Sequence, residues 1–564
     1  MIKSLTNSIH IRKSQVVGLL VISILYAALS IVADGFRNGG KLQAIMEYYE
    51  SAGTMLILAC FTMAFGFILG IILFSIWNNA KTTTKNAYEK ISARHFTILA
   101  IILFLAWVPW IISHYPGTVR DDTIPQLFQW YGEYPYYTQH PVMDTLIFGV
   151  FFSLGDLIGS RTAGLFVYIL IQNLFAACLF SGMLCYMWKH CVPRSIVYIA
   201  AVFFAFSRVI YQPLDAMSKD SINSLIFCAL IFGFIEIVRS CNSVLSSRMF
   251  SISYFIGVIL CIGTKRTMLY VLLIVFISYL IYLINKKASV KFYLAVTIVP
   301  AVLGSILVIP LINRVVDANE NETYEMYSVP NQQIVRTIIS HPDSITEDEL
   351  ERLSEYIDIE RACEEYNYWR SDEVSSCVRD SSKLFSCLDI WIRLGLKHPD
   401  TYFAAWLGIS ANWFSLTNPI SFGHDSGIEY FDEGHIEMWR GFFDSSEEAD
   451  AFLSTLNFQR LDFFEPLHNL LEMIDSAQAK FYAISSYGLY ASLLPIILMS
   501  YAIMSKNIHL VITSVVSFAL LASFVLGPIA LYWYAIPAVF ITPLMLSLPF
   551  LFPSRMTYRN NQHE

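Results

Sequence analysis

The feature that most constrains this chain is a succession of apolar runs, each about as long as a bilayer is thick. A crossing helix needs about 20 mainly apolar residues, and twelve stretches qualify: 15–33, 52–77, 96–113, 162–188, 195–211, 221–238, 249–264, 268–284, 293–313, 483–504, 508–527 and 530–552. Lipid offers the backbone no hydrogen-bonding partner, so each is predicted to be an α-helix. With 55% hydrophobic and 15% charged residues and a mean hydropathy of +0.53, a soluble globule is excluded. The expected fold is an all-α polytopic membrane protein with about twelve membrane helices, an exterior juxtamembrane helix and a mainly helical exterior domain. The first run follows Arg12 and Lys13, and Ile31-Val32-Ala33 makes a poor cleavage site, so it reads as a retained anchor.

A thirteenth apolar run, Val142 to Ile158, decides the topology. Were it a crossing, Lys189, Arg194, Arg239, Arg248, Lys286, Lys287 and Lys291 would lie outside. Laid on the outer surface, it keeps them inside. Cytoplasmic segments then carry roughly seventeen Lys and Arg against about six in the short exterior loops, the bias that orients membrane proteins. Both termini are cytoplasmic in this reading, in a plasma membrane. Asp144 and Asp156 near the ends of the run suit an interfacial helix.

The chain divides into an N-terminal membrane region (1–313) with exterior loops at 114–161 and 212–220, an exterior hydrophilic domain (314–482) and C-terminal membrane helices (483–564). The hydrophilic block carries most of the acidic excess behind the net charge of -8, which argues against nucleic acid as a partner. It contains Cys363, Cys377 and Cys387, an odd number whose pairing the spacing leaves open.

Two exterior loops gather the polar chemistry. In H-Y-P-G-T-V-R-D-D-T (114–123) a Pro-Gly turn is followed by Asp121 and Asp122, then by Trp130, Tyr131, Tyr134, Tyr136, Tyr137 and His140. Two carboxylates can bind a divalent cation or accept a proton, and aromatic faces suit a sugar or a membrane interface. The second loop, P-L-D-A-M-S-K-D-S, presents Asp215, Lys219 and Asp220. Ordinary roles are open to the same residues: an aromatic belt with solvated charges, and Asp220 favouring a helix N-terminus.

The order of these features (an acid-bearing first exterior loop, an H-P opening a surface helix, two spans and a second exterior acid) resembles the GT-C glycosyltransferases. That superfamily includes protein O-mannosyltransferases, lipid A aminoarabinose transferase and oligosaccharyltransferases. H-Y-P-G-T-V-R-D-D-T-I-P-Q-L and Q-H-P-V-M-D-T-L are more closely similar to a family of uncharacterised bacterial membrane proteins with P-G-T, Asp-Ser, Gln and H-P. There Asp122 aligns with the acid, Thr123 stands where Ser is usual, and Gln126 matches. S-K-D at 218–220, S-V-P-N-Q-Q-I-V-R at 328–336 and W-I-R-L-G-L-K-H-P-D-T-Y at 391–402 extend the likeness over most of the chain. G-T-K-R-T-M-L-Y at 263–270 departs from the usual R-N-N-G-x-Y, and Trp533 stands where the pattern has an Arg.

The resemblance implies transfer of a sugar from a polyprenyl-phosphate donor to an envelope glycan or lipid acceptor at the outer face, with membrane lipid as the donor's route of entry. Asp122, assisted by Asp121, would act on the acceptor hydroxyl, a role for which a raised pKa is expected. Lys219, Lys265, Arg266 and His140 are candidates to stabilise the leaving phosphate. Asp121, Asp122 and Asp220 are the candidate ligands for a Mg or Mn ion. Gln126, Asp220, Gln332, Gln333 and Arg336 are further candidate substrate contacts. His424, Asp425, Glu429, Asp432, Glu433, His435 and Glu437 match no standard ligand spacing and read as a solvated loop. A transporter or flippase of lipid-linked sugars, or a non-catalytic membrane scaffold, are the alternatives. Transport would call for ionisable groups deep in the spans or repeated broken helices.

Overall fold

The computed structural model describes residues 11–37, 40–42, 44–79, 91–120, 122–320, 327–418, 437, 440–441, 443, 445–455 and 465–553. All twelve apolar stretches fall on helix. Nine helices among the described residues are long and apolar enough to cross a membrane: Lys13–Arg37, Ala52–Asn79, Ala93–Ser113, Arg161–Lys189, Lys219–Arg239, Met268–Asn285, Lys291–Val315, Ile508–Val525 and Tyr532–Leu551. The chain is an all-α polytopic membrane protein. Of the other three stretches, two are the shorter helices Arg248–Thr264 and Leu489–Met504, and the third is a pair, Arg194–Phe206 and Arg208–Leu214, bent by 46°. The bend has a local cause: Ser207 is extended (φ -79°, ψ 131°), which interrupts the helical ladder. Arg208, just beyond it, is drawn to Asp475 (Nη2–Oδ2 2.9 Å).

Helix Tyr532–Leu551 is the centre of the bundle, with 83% of its apolar window buried against 17% for the peripheral Ala52–Asn79. Its contacts run along Lys219–Arg239, Ile508–Val525 and Arg208–Leu214. The chain weaves between two ends. Asn78 and Gln15 meet at one end (3.1 Å), where Asn507 also bonds Phe552 O. At the other, Lys219 meets His140 and Lys265 meets Asp220.

Helix Val142–Leu157 has only 16 residues. It begins beside His140, and its C-terminal Asp156 is bonded to Arg161 (2.8 Å), where the next helix starts. That helix reaches the Gly117 turn only at Ile169, so Arg161 lies beyond that turn on the same side. The run therefore starts and finishes at one end of the bundle. The close packing of the two helices requires glycine: a Cβ at Gly164 would lie 2.3 Å from Phe151 O.

The hydrophilic block sits at that same end. Its core gathers Ile334, Leu353, Tyr356, Val374, Leu384, Ile390 and Leu394, and it is tied to the membrane helices by Ser371 N–Pro528 O (3.0 Å) and Tyr368 Oη–Arg37 O (2.7 Å). Cys363, Cys377 and Cys387 are free thiols. Helices Ser328–Ser340 and Leu388–Lys397 both end in His-Pro-Asp, and the two ends exchange hydrogen bonds: His341 with Thr401 (3.1 Å), His398 with Ser344 (2.8 Å). The imidazoles stack at 3.9 Å. Burial, then the neighbouring His341 and Lys397, hold His398 below its ordinary value of 6.5. A depressed imidazole contributes stability that is complete above that value and is lost as pH falls through it. Thermal unfolding in detergent is therefore expected to show a stability loss on acidification that shrinks in His398→Gln; an unchanged acid dependence would contradict this.

Candidate functional site

The site is built from two loops joined by a small sheet. Helix Ala93–Ser113 ends in a turn that returns the chain at Gly117, where φ is +109° and a Cβ would lie 2.4 Å from Ile169. The strands Thr118–Val119 and Ala216–Met217 then pair in parallel, Thr118 opposite Ala216 and Val119 opposite Met217. Gln172 clamps the second strand by donating to Leu214 O (2.9 Å) and Ala216 O (3.0 Å). Thr123 Oγ1 donates to Met217 O (2.9 Å), fixing the chain on the far side of Asp122. Asp215 serves this scaffold: it is 3% exposed and bonds His114 at 3.1 Å.

This register sets Asp122, just past the first strand, beside Lys219, just past the second. Their Oδ2–Nζ distance is 2.7 Å. Lys219 Nζ also donates to His140 Nδ1 (3.1 Å) from the residue pair that opens the 142–157 helix. Asp220 is 5% exposed and forms an ion pair with Lys265, whose ammonium lies 4.5 Å over the Tyr534 ring. Arg120 stacks 3.7 Å over Trp533. The departures in the sequence pattern thus converge here: Lys265 lies in the altered 263–270 segment, and Trp533 carries an arginine from the first loop.

One acid of the site was missed by sequence reasoning. Asp144 is completely buried, and neither carboxyl oxygen has a hydrogen-bond partner among the described residues. Lys219, Asp220 and Lys265 all act on it electrostatically. Its signal was a carboxylate inside an apolar run three residues after His140-Pro141, which the interfacial reading absorbed.

The electrostatics correct one expectation. Burial works to raise Asp122, but Lys219, then His140 and Arg120, overcome it and hold the carboxyl well below the ordinary carboxylate range. With 44% of its side chain exposed, it is an ionised, accessible carboxylate with little basicity at rest, the reverse of the raised pKa foreseen. Burial and Lys219 bring His140 down to about 4, so it is neutral and its Nδ1 accepts from the ammonium. Burial pushes Asp144 well above the usual range, with Asp220 adding to the effect and Lys219 opposing it.

Other candidates are used elsewhere. Gln126 is buried and donates to Thr145 (3.2 Å), fastening the helix that carries Asp144. Arg266 donates to Thr138 O (2.5 Å) and lines a crevice with Pro141, Met143, Gly263, Ile309 and Asn313. Gln332 donates to Asn367 O (2.9 Å) and Arg370 O (2.8 Å), holding a loop whose Arg370 is electrostatically coupled to Tyr534. Gln333 binds Tyr402 O (3.3 Å) and Trp391 (2.9 Å), while Arg336 reaches Gly40 O (2.5 Å), so neither is brought to the cluster.

Asp121 lies outside the described residues, as do His424, Asp425, Glu429, Asp432, Glu433 and His435; Glu437 pairs with Arg440 (3.0 Å). For the Mg or Mn ion implied by the resemblance, the fit is poor: Asp122 and Asp220 each already hold a lysine. No group of three His, Cys, Asp or Glu suited to a metal occurs among the described residues.

No curated protein and no solved structure matches the chain. Residues 128–420 match a family of unknown function, DUF6020, over a stretch holding His140, Asp144, Lys219, Asp220 and Lys265 and beginning just after Asp122. Since that match spans more than half of the 564 residues, the chain belongs to the DUF6020 family.

Proposed function

We propose that the chain is a membrane glycosyltransferase of GT-C type that moves a sugar from a polyprenyl-phosphate donor to a cell-envelope acceptor at the outer face of the plasma membrane. The observation that carries the reading is the contact of Asp122 with Lys219, a solvent-accessible carboxylate against an ammonium, at the membrane end where the hydrophilic block also gathers. An anionic lipid phosphate arriving sideways at this end meets Lys219 and Lys265, with Arg120 and Arg266 close by. By competing for Lys219, the phosphate weakens the interaction that keeps Asp122 a poor base. Donor binding thus raises the basicity of Asp122, which accepts the acceptor's proton as its oxygen attacks the anomeric carbon. The lysines stabilise the departing phosphate, and the reading gives this role to them rather than to a divalent cation.

Transport is less favoured because the acids stand at helix ends, and Glu236, within a span, is neutralised by Arg239 (2.7 Å). The direct experiment incubates purified protein with polyprenyl-phosphate sugars and envelope glycans and follows transfer by mass spectrometry, together with envelope glycans from a deletion strain. Unchanged glycans and no transfer with any donor would remove the enzymatic reading.

The orientation has its own test. Cysteines introduced at Leu157, which is 82% exposed, and at Ser445 are expected to react with an impermeant thiol reagent in intact cells, whereas one at Lys287 reacts only after permeabilisation. The opposite pattern would put the cluster on the cytoplasmic face.

A further inference from the structure

At the end of the bundle away from the Asp122 cluster, two turns lie side by side. Helix Lys219–Arg239 turns through Ser243–Ser246 into Arg248–Thr264, and Met268–Asn285 turns into Lys291–Val315. Tyr282 Oη and His509 Nε2 are 3.1 Å apart, which puts these turns at the end where Asn507 bonds Phe552 O. A cavity of about 460 Å³ lies between them, the size of a small-molecule site, about 300–1,000 Å³. Its buried lining is apolar and aromatic: Leu245, Tyr279, Leu283 and Tyr293. Ser243, Ser246, Lys286 and Ser289 stand at its exposed mouth, with Phe292.

The charge carried by these turns is of one sign. No Asp or Glu occurs from Ile237 to Val316, whereas Arg239 and Arg248 bracket the first turn and Lys286, Lys287 and Lys291 crowd the second. Arg239 is committed to Glu236 (2.7 Å). Arg248, Lys286, Lys287 and Lys291 form no ion pair among the described residues, and the Lys286 ammonium stands 6.0 Å from the centre of the Tyr282 ring. Lys287 holds a left-handed backbone (φ +54°) at a helix end where glycine is the ordinary choice. Lysines here also orient the chain and suit a helix C-terminus. Neither role calls for an aromatic cavity beneath them.

We propose that this cavity holds an anionic membrane lipid, its phosphodiester head at Lys286 and the serines of the mouth, and its apolar part against the aromatic wall. Basic pockets between membrane helices take phospholipid heads, and serine hydroxyls can donate to phosphate oxygens. Two observations favour a lipid over free phosphate. The buried wall offers a hydrated anion nothing in exchange for its water. The exposed neighbours on both flanking helices are apolar, Met249 and Ile252 on one, Ile281 and Ile284 on the other, so the mouth adjoins lipid-facing surface. The site is separate from the Asp122 cluster and stands whether or not the protein transfers sugar.

Lipid titration of the delipidated full-length protein in detergent, followed by native mass spectrometry, tests the site. Phosphatidylglycerol is expected to bind more tightly than phosphatidylcholine with the same chains. Lys286→Gln is expected to weaken phosphatidylglycerol about fivefold, the effect of one basic residue near an anionic lipid. Ala288→Trp, which fills the cavity without altering charge, is expected to abolish the preference. Lys13→Gln removes an exposed lysine that does not line the cavity and is expected to change nothing. Lys286→Gln alters only an exposed side chain, so its result stands even if the tryptophan variant fails to fold. Equal affinity for the two lipids overturns the proposal, as do equal losses in Lys286→Gln and Lys13→Gln, which would show diffuse attraction. Displacement of phosphatidylglycerol by glycerol phosphate at a similar concentration overturns the lipid and assigns the site to a free phosphate ester.

Discussion

Asp122→Asn is expected to lower sugar transfer by about 10²- to 10⁴-fold while the protein remains folded, the range associated with loss of a general base. The substitution keeps the size of the side chain and an oxygen to accept from Lys219, but removes the charge that the ammonium balances. Because Asp122 is 44% exposed, the change adds little packing stress. Transfer from a polyprenyl-phosphate sugar by the purified variant, alongside its thermal unfolding, is the measurement. Activity of wild type should also survive chelator if lysines supply the positive charge, and a chelator-sensitive enzyme would return the divalent ion to the mechanism. A fully active Asp122→Asn would take the first loop out of the chemistry altogether.

Asp475→Ala is expected to give the largest loss of stability, about 3 kcal/mol, because it removes one partner of a largely buried ion pair. Asp475 accepts from Arg208 (3.2 and 2.9 Å), Tyr211 (2.8 Å) and Gln212 (2.8 Å), anchoring helix Glu465–Lys480 to the end of the bent span. Arg208 is only 6% exposed at its side chain and Asp475 20%, which places the cost at the lower end for buried pairs. Ser113 with His468 (2.8 Å) is a second, weaker tie of the same helix. Unfolding in detergent, followed by intrinsic fluorescence, measures the effect. A change under about 0.5 kcal/mol, the scale of an ordinary surface substitution, would mean the helix is held by its apolar contacts instead.

Much of the architecture was legible because membrane burial is a one-dimensional code: an apolar run of sufficient length must be a helix whatever surrounds it. All twelve stretches are helical for this reason, and the odd run at 142–158 was separated from the spans by counting positive charges. Where helices break was not legible. Hydropathy reads the length of an apolar run and not the φ and ψ within it, so the extended Ser207 and the helix start at Leu489 leave no mark in it.

The sequence by itself determined that this chain is a bundle of membrane helices and that Asp122, His140, Lys219 and Asp220 lie in two loops with chemistry to offer, since residue type and hydropathy are local properties. Only the tertiary structure decided which charges meet. The parallel pairing of Thr118–Val119 with Ala216–Met217 chose Lys219 as the partner of Asp122, and so turned an expected basic carboxylate into an acidic one. It likewise buried Asp144 beside two committed lysines and gave Gln126, Gln333 and Arg336 scaffold duties. The physical reason is that a pKa and a partner depend on distances of a few ångströms between groups far apart in sequence, which hydropathy does not encode.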